Sequence, residues 1–346
     1  MVLARRGISC SVIVLLTWAG LAAGARVSRR ATTYTLLAGG YTTSITTLTF
    51  DPAVAAISVV GTCDSGANPS WLTSHPTVKT VQYSTNEYDA GLISSFTTAD
   101  PKRICTKVNS ASAAGDAPAH VAVVRSGSEI IAANYNSGTV GIYTLSADKL
   151  NFVNGSKISF SANVSHPHEV VEYGQEVFIP DLGADKIWRF IGQPTGSGPR
   201  HIATKGNVVF VLHELANTLA AQFIDFAPTN TTNPYTISSL SLILSPDGKY
   251  LYASNRDTDA SPDPRGDAIA IVKVGSYGSL TLVKHVFTGL QLLRGLSLSP
   301  DAKYLIGGGQ AAGGVVAWQI TNGGADLKEV ARNSAGPAAT GFTWLS

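Results

Sequence analysis

The stretches SLILSPDGKYLYASN (residues 241–255) and LSLSPDAKYLIGGG (296–309) alternate apolar with small or polar side chains, break at Pro-Asp-Gly or Pro-Asp-Ala, and alternate again. Alternation with a period of two is the signature of a strand with distinct faces, and a Pro-Asp-Gly turn reverses the chain, so each stretch predicts an antiparallel hairpin. A third apolar strand follows each hairpin, AIAIVKV (268–274) and GVVAWQI (314–320). After the first comes a weaker outer strand, GSLTLVKHV (278–286).

The same unit recurs along the chain. Its starts are NPSWLTSH at Asn68, APAHVAVV at Ala117, HPHEVVEY at His166, GPRHIATK at Gly198, SSLSLILSPDGK at Ser238, LLRGLSLSPDAK at Leu292 and GPAATGFTWL at Gly336. Third strands such as TVGIYTL (139–145), KIWRFI (186–191) and TLAAQFID (218–225) continue the earlier units. Repeats of about 40 to 50 residues, each a three- or four-stranded meander, predict an all-β, seven-bladed β-propeller. A pair of β-sandwiches or a solenoid are the competing folds. The last start lacks the rest of its unit, whereas YTLLAGGYTTSITTLTF (34–50) has later strands without a start, so the N- and C-terminal strands should close the ring in one blade.

The 346 residues are 44% hydrophobic and 14% charged, with a formal charge of +2 and no Lys/Arg run. That composition supports a large core and argues against nucleic acid, which requires a concentrated basic patch. Arg5 and Arg6 precede an apolar run from Ile8 to Ala23 and an Ala23-Gly24-Ala25 cleavage pattern. We therefore expect a signal peptide over 1–25, a short segment or propeptide over 26–33 with a dibasic Arg29-Arg30, and the propeller over 34–346. A membrane anchor is the alternative, for which the run is short. Sequons at Asn154, Asn163 and Asn230 add to the picture of a secreted glycoprotein, extracellular or associated with the cell wall and without a membrane once the leader is removed. Cys63 and Cys105 form an even pair in an oxidising compartment, compatible with a disulfide or with two buried thiols. No Cys/His zinc spacing, HExxH, GxSxG, phosphate loop or GxGxxG occurs, so neither a metal nor a cofactor is expected.

In a blade the first two strands run antiparallel, so the start of one and the end of the other share a face. His120 with Asn134, His166 and His168 with Asp181, Arg200 and His201 with His213 and Glu214, Arg256, and Arg294 with Gln310 should therefore meet at one channel mouth, drawn from five consecutive units. Arginine forks bind anions bidentately, and His with Glu can move protons near neutral pH, so the expected ligand is a small anionic carboxylate. Hydrogen bonding of turn and channel backbone is the structural alternative for each polar residue.

The motifs HPHEV, IPDLGADKI, GPRH, HELANT, SPDGKYLYASNR and SPDAKYLIGGGQ together resemble the seven-bladed lactonase family that includes fungal 3-carboxy-cis,cis-muconate cyclase and 6-phosphogluconolactonase. The resemblance implies metal-independent lactone chemistry with His168, Arg200, Glu214 and Arg256 as catalytic groups, alongside Arg294, His201 and His120 as substrate contacts. Cyclisation of a carboxymuconate-like substrate is the first expectation, and 6-phosphogluconolactonase-type hydrolysis the second. A non-catalytic binding glycoprotein is the third. The chain departs from the family in three places: few residues separate KIWRFIG from GSGPRH, which predicts a truncated fourth blade; ATKGN replaces a Pro-Asp-Gly-like turn; and LLRG lacks the proline usual before that arginine.

Overall fold

A computed structural model describes residues 32–345 apart from 100–104, 161–163, 174–175, 189–190, 193–194, 206–207, 222–223, 226–236 and 259–261. The expected leader, Arg29-Arg30, Asn163 and Asn230 lie outside the described residues.

Seven four-stranded antiparallel sheets are arranged as the blades of a propeller. Blade 1 contains the ring closure. The C-terminal strand Ala339–Trp344 is innermost and pairs with Tyr34–Gly40, which pairs in turn with Ser44–Asp51 and Ala56–Asp64. Blades 2 to 7 have innermost strands Leu72–Ser74, Pro118–Val123, Val171–Tyr173, Pro199–Lys205, Ile237–Leu244 and Gln291–Leu298. Their second strands are Val81–Asn86, Glu129–Asn134, Glu176–Asp181, Val208–His213, Tyr250–Asp257 and Tyr304–Ala312.

Both faces of each blade are apolar because each packs against a neighbour, and the core falls into seven clusters, one per interface. Leu37, Ile45, Leu72 and Phe96 join blades 1 and 2. Phe178, Ile187, Ile202 and Val211 join blades 4 and 5. Among the described residues the largest fully buried side chain, Trp318, packs with Tyr252, Ile269 and Leu305 between blades 6 and 7. Burying such a side chain stabilises the fold by roughly 2 to 3 kcal/mol.

Blade 4 has all four strands, three of them short among the described residues. Its third and outer strands are Lys186–Trp188 and Ile191–Gly192, so the outer strand expected to be missing is present among the described residues. Blade 5 is similar, with Thr218–Ala220 and Ile224–Asp225. Blades 1 and 2 carry full outer strands, Ala56–Asp64 and Thr106–Ser112, stapled by a disulfide between Cys63 and Cys105 whose Cα atoms are 5.8 Å apart. Asn154 is exposed on the outer strand of blade 3, Phe152–Ser159.

Candidate active site

Two recurring features of the blades aim side chains at the channel. The first is a bulge in the innermost strand. In blade 5, Pro199 pairs with His213 and His201 with Leu212, so the strand register shifts at Arg200. The same irregularity leaves Ala119, Leu240, Arg294 and Thr340 out of register in blades 3, 6, 7 and 1. A bulge turns one residue out of the pleat and re-aims it, and here it carries Arg200 and Arg294 into the mouth. His168, after the isolated Pro167–Asp181 bridge, is the blade 4 counterpart.

The second feature is a division of labour at the end of the second strand. The last paired residue serves the fold. Asn86 donates to the carbonyls of Ser65 and Ala67, and Asn134 donates to that of Ala113. Asp181 accepts from the backbone N–H groups of His166 and Ala184, from the Trp188 indole at 2.7 Å and from the Ser165 hydroxyl. His213 Nδ1 bonds Thr218 Oγ1 at 2.8 Å. The residue one step further faces the channel in blades 1, 2, 3 and 5: Tyr41, Glu87, Tyr135 and Glu214, with Arg256 from within the second strand of blade 6, line one cavity with His168, Arg200 and Arg294.

This cavity of about 200 Å³ therefore draws on all seven blades, not five. Its three arginines and two glutamates leave one net positive charge. Glu214 Oε2 lies 2.7 Å from Arg200 Nε, and its Oε1 accepts from Arg256 at 3.3 Å. Burial pulls the Arg200 guanidinium down to about 10 despite the pairing, and burial also lowers Arg256. Across the cavity, Arg294 donates to both Glu87 oxygens at 3.3 Å and to the Tyr41 hydroxyl, and its guanidinium stacks 4.9 Å over the Tyr41 ring. Tyr41 donates to Glu87 at 2.8 Å.

His168 is buried at the floor. Burial, then the charge of Arg200, holds its imidazole well below the ordinary histidine value, so the ring is neutral. Its Nδ1 has no protein partner, and neither does the buried Nε of Arg256. Buried polar atoms are nearly always paired, so two orphans facing one cavity mark where a ligand bonds. Tyr135, edge-on to His168 at 5.8 Å, is fixed by His166, which stacks on it at 4.4 Å and bonds its carbonyl at 2.7 Å.

His120 and His201, expected as substrate contacts, do not line the cavity; each sits one strand position past its bulged residue. His120 Nδ1 accepts from Val170 N at 3.3 Å, Glu169 Oε2 accepts from Ile202 N at 2.8 Å, and Ser241 Oγ accepts from Leu296 N at 3.3 Å. Each bond ties one blade to the next. His201 pairs with Glu169 at 3.1 Å, and Trp71 packs 4.4 Å from the His120 ring. Among the described residues no three His, Cys, Asp or Glu side chains are grouped to ligate a metal ion.

Conversely, Tyr41, Glu87 and Tyr135 were not anticipated from the sequence. Each directly follows the polar or small residue at the end of a second strand, so counting one further in every repeat would have found them.

The model of the lactonase family, described as a 7-bladed beta-propeller, matches residues 35–344. The chain belongs to the seven-bladed β-propeller lactonase family. A protein of Arthroderma benhamiae named "Probable 6-phosphogluconolactonase" is 26% identical over 314 residues, covering 79% of this chain and 78% of that one. The Bacillus subtilis 6-phosphogluconolactonase is 25% identical over 296 residues, 73% and 80% of the two chains. The solved structure of the Pseudomonas aeruginosa periplasmic gluconolactonase superposes with a TM-score of 0.78 at 22% identity, covering 91% of this chain and 99% of that one. None of these three carries a cyclase name, so the expectation of a carboxymuconate cyclase finds no counterpart among them.

Proposed function

We propose that this protein hydrolyses sugar-acid lactones, a 6-phosphogluconolactonase-type reaction carried out at the channel mouth. The orphaned His168 Nδ1 beside an Arg–Glu–Arg cluster carries the reading. Names of relatives with 24 to 26% identity support the same reaction class.

Ring opening requires a water activated at the lactone carbonyl and donors for the oxyanion that forms there. A neutral imidazole with an open Nδ1 accepts the water's proton as its oxygen bonds to the carbonyl carbon. Arg200 and Arg256 supply charge and donors where the oxyanion develops, preorganised by Glu214 so that no reorganisation accompanies the reaction. As negative charge grows on the substrate, it offsets the arginine field that depresses His168, so proton uptake becomes easier as the transition state is approached. Collapse of the tetrahedral intermediate breaks the bond to the ring oxygen, which takes the proton from His168. The product carboxylate is left against Arg200 and Arg256, which suits the net positive charge. The leader-like residues and sequons support an extracytoplasmic setting for this activity.

The test is a pH-stat assay of purified protein with glucono-δ-lactone and its 6-phosphate, and with 3-carboxy-cis,cis-muconate followed by its diene absorbance. Acid release above the spontaneous rate, abolished in His168→Ala, supports the hydrolase. Loss of diene absorbance without lactone hydrolysis would return the reading to the cyclase.

A further inference from the structure

Resting on the hydrolase reading, we propose that Tyr41, Glu87 and Arg294 form a selectivity wall that admits a lactone with a neutral hydroxyl tail and disfavours one whose tail is phosphorylated. The argument comes from the unequal saturation of the two arginine groups. Arg256 engages Glu214 through one terminal nitrogen, and its buried Nε has no partner. Arg294 has both terminal nitrogens occupied, one by Tyr41 and one by Glu87, and its face is covered by the Tyr41 ring.

The electrostatics follow the same division. Burial lowers Arg200 and Arg256, whose shared carboxylate does not fully compensate them. Burial also works against Arg294, but Glu87 and Tyr41 outweigh it and raise its guanidinium above the ordinary value. Burial drives the Tyr41 hydroxyl up to about 12, so it stays a neutral donor and acceptor. One wall therefore has charge and an open donor to give to an anion. The other is neutral as a unit, its positive member spoken for and its carboxylate partly exposed to the cavity.

With the ring carbonyl at Arg200 and Arg256, the remainder of a substrate filling a cavity of about 200 Å³ reaches the opposite wall. Sugar hydroxyls both donate and accept, so they satisfy Glu87 and Tyr41. A phosphate offers almost only acceptors and places like charge beside Glu87, and such juxtapositions are how sites exclude wrong ligands.

The experiment compares kcat/KM for glucono-δ-lactone and its 6-phosphate in wild type, Glu87→Gln, Glu87→Asp and Tyr41→Phe. The wild type should favour the unphosphorylated lactone by about tenfold or more, the equivalent of one like-charge contact. Glu87→Gln should shift that ratio toward the phosphorylated lactone by about tenfold, and Glu87→Asp should restore it. Because Glu87→Gln leaves Arg294 without its carboxylate, the double variant Glu87→Gln/Arg294→Gln guards against misfolding and should shift the ratio the same way by less. A wild type that prefers the phosphorylated lactone, or a folded Glu87→Gln with an unchanged ratio, overturns the selectivity wall while leaving the hydrolase intact. No turnover of either lactone by folded wild type overturns the hydrolase and this proposal with it.

Discussion

Among the described residues, blades 4 and 5 have the shortest outer strands, while blades 1 and 2 have full outer strands and a disulfide, yet His168, Arg200 and Glu214 sit on the former pair. The cavity repeats this division. The wall from blades 4 to 6 carries an open donor on Arg256 and a neutral imidazole, whereas the wall from blades 1, 2 and 7 carries a saturated Tyr–Glu–Arg group. The side chains that line the cavity come from the innermost strand, its bulge and the end of the second strand. The outer strands cover the blade interfaces and contribute stability, and none of their residues lines the cavity.

The largest effect separating the two walls should come from His168. His168→Ala should lower kcat by about 10² to 10⁴-fold, the range for loss of a general base, with Tyr41→Phe far milder. Steady-state kinetics on both variants would check this, and equal losses would erase the distinction between the walls.

Next come the two glutamates. Glu214→Gln strips the carboxylate from two buried arginines and should cost about 3 to 5 kcal/mol, as removal of one partner from a buried ion pair does. Glu87→Gln leaves one arginine, still held by Tyr41, and should cost less. Denaturant unfolding of the two side by side makes the comparison. Replacing Cys63 and Cys105 with serine opens a 42-residue separation in blades 1 and 2 and should cost about 4 kcal/mol by loop-closure entropy, visible as a lower Tm with catalysis at the opposite wall preserved.

Smaller again is a pH effect from histidines of the frame. Burial lowers His120 to about 3 and His213 to about 4. Between those values and the unfolded value near 6.5, the unfolded chain binds protons that the folded chain refuses. Stability should therefore be complete above pH 6.5 and fall as pH drops, by about 1.4 kcal/mol per unit for each histidine. Unfolding of His120→Asn between pH 4 and 7 should show a shallower slope than wild type. Because His168 is also held neutral, kcat/KM should stay level as pH is lowered through 6.5 and fall only well below it. The smallest expected change is about threefold in kcat for Tyr41→Phe, which keeps the ring over Arg294 and removes one hydroxyl.

Much of this was legible in the sequence because a propeller repeats its grammar. The hairpins at 241–255 and 296–309 set the unit, the incomplete ends gave the closure, and the strand-start rule placed His168, Arg200 and Arg294 at the mouth. The same rule overreached by one position. Asn134 and Asp181, polar and last in their strands, bind loops; after Asn134 it is the next residue, Tyr135, that lines the cavity, and blade 4 reaches it through His168 instead. Tyr41 and Glu87 escaped notice because blades 1 and 2 match the repeat weakly. His120 and His201 misled because a histidine beside a bulge is chemically plausible in either layer, and only the bulge decides which residue turns inward. Charge saturation is a property of three-dimensional pairing, invisible until Glu87 and Arg294, 207 residues apart, are seen together.

The most direct test of the two-wall account is kcat/KM of Arg200→Ala for glucono-δ-lactone and its 6-phosphate, measured beside wild type. With Arg200 proposed to stabilise the oxyanion common to both substrates, the account predicts a fall of about 10² to 10³-fold that is equal for the two, leaving their ratio unchanged. A loss confined to the phosphorylated lactone would place the phosphate at Arg200 and contradict the assignment of chemistry to this wall.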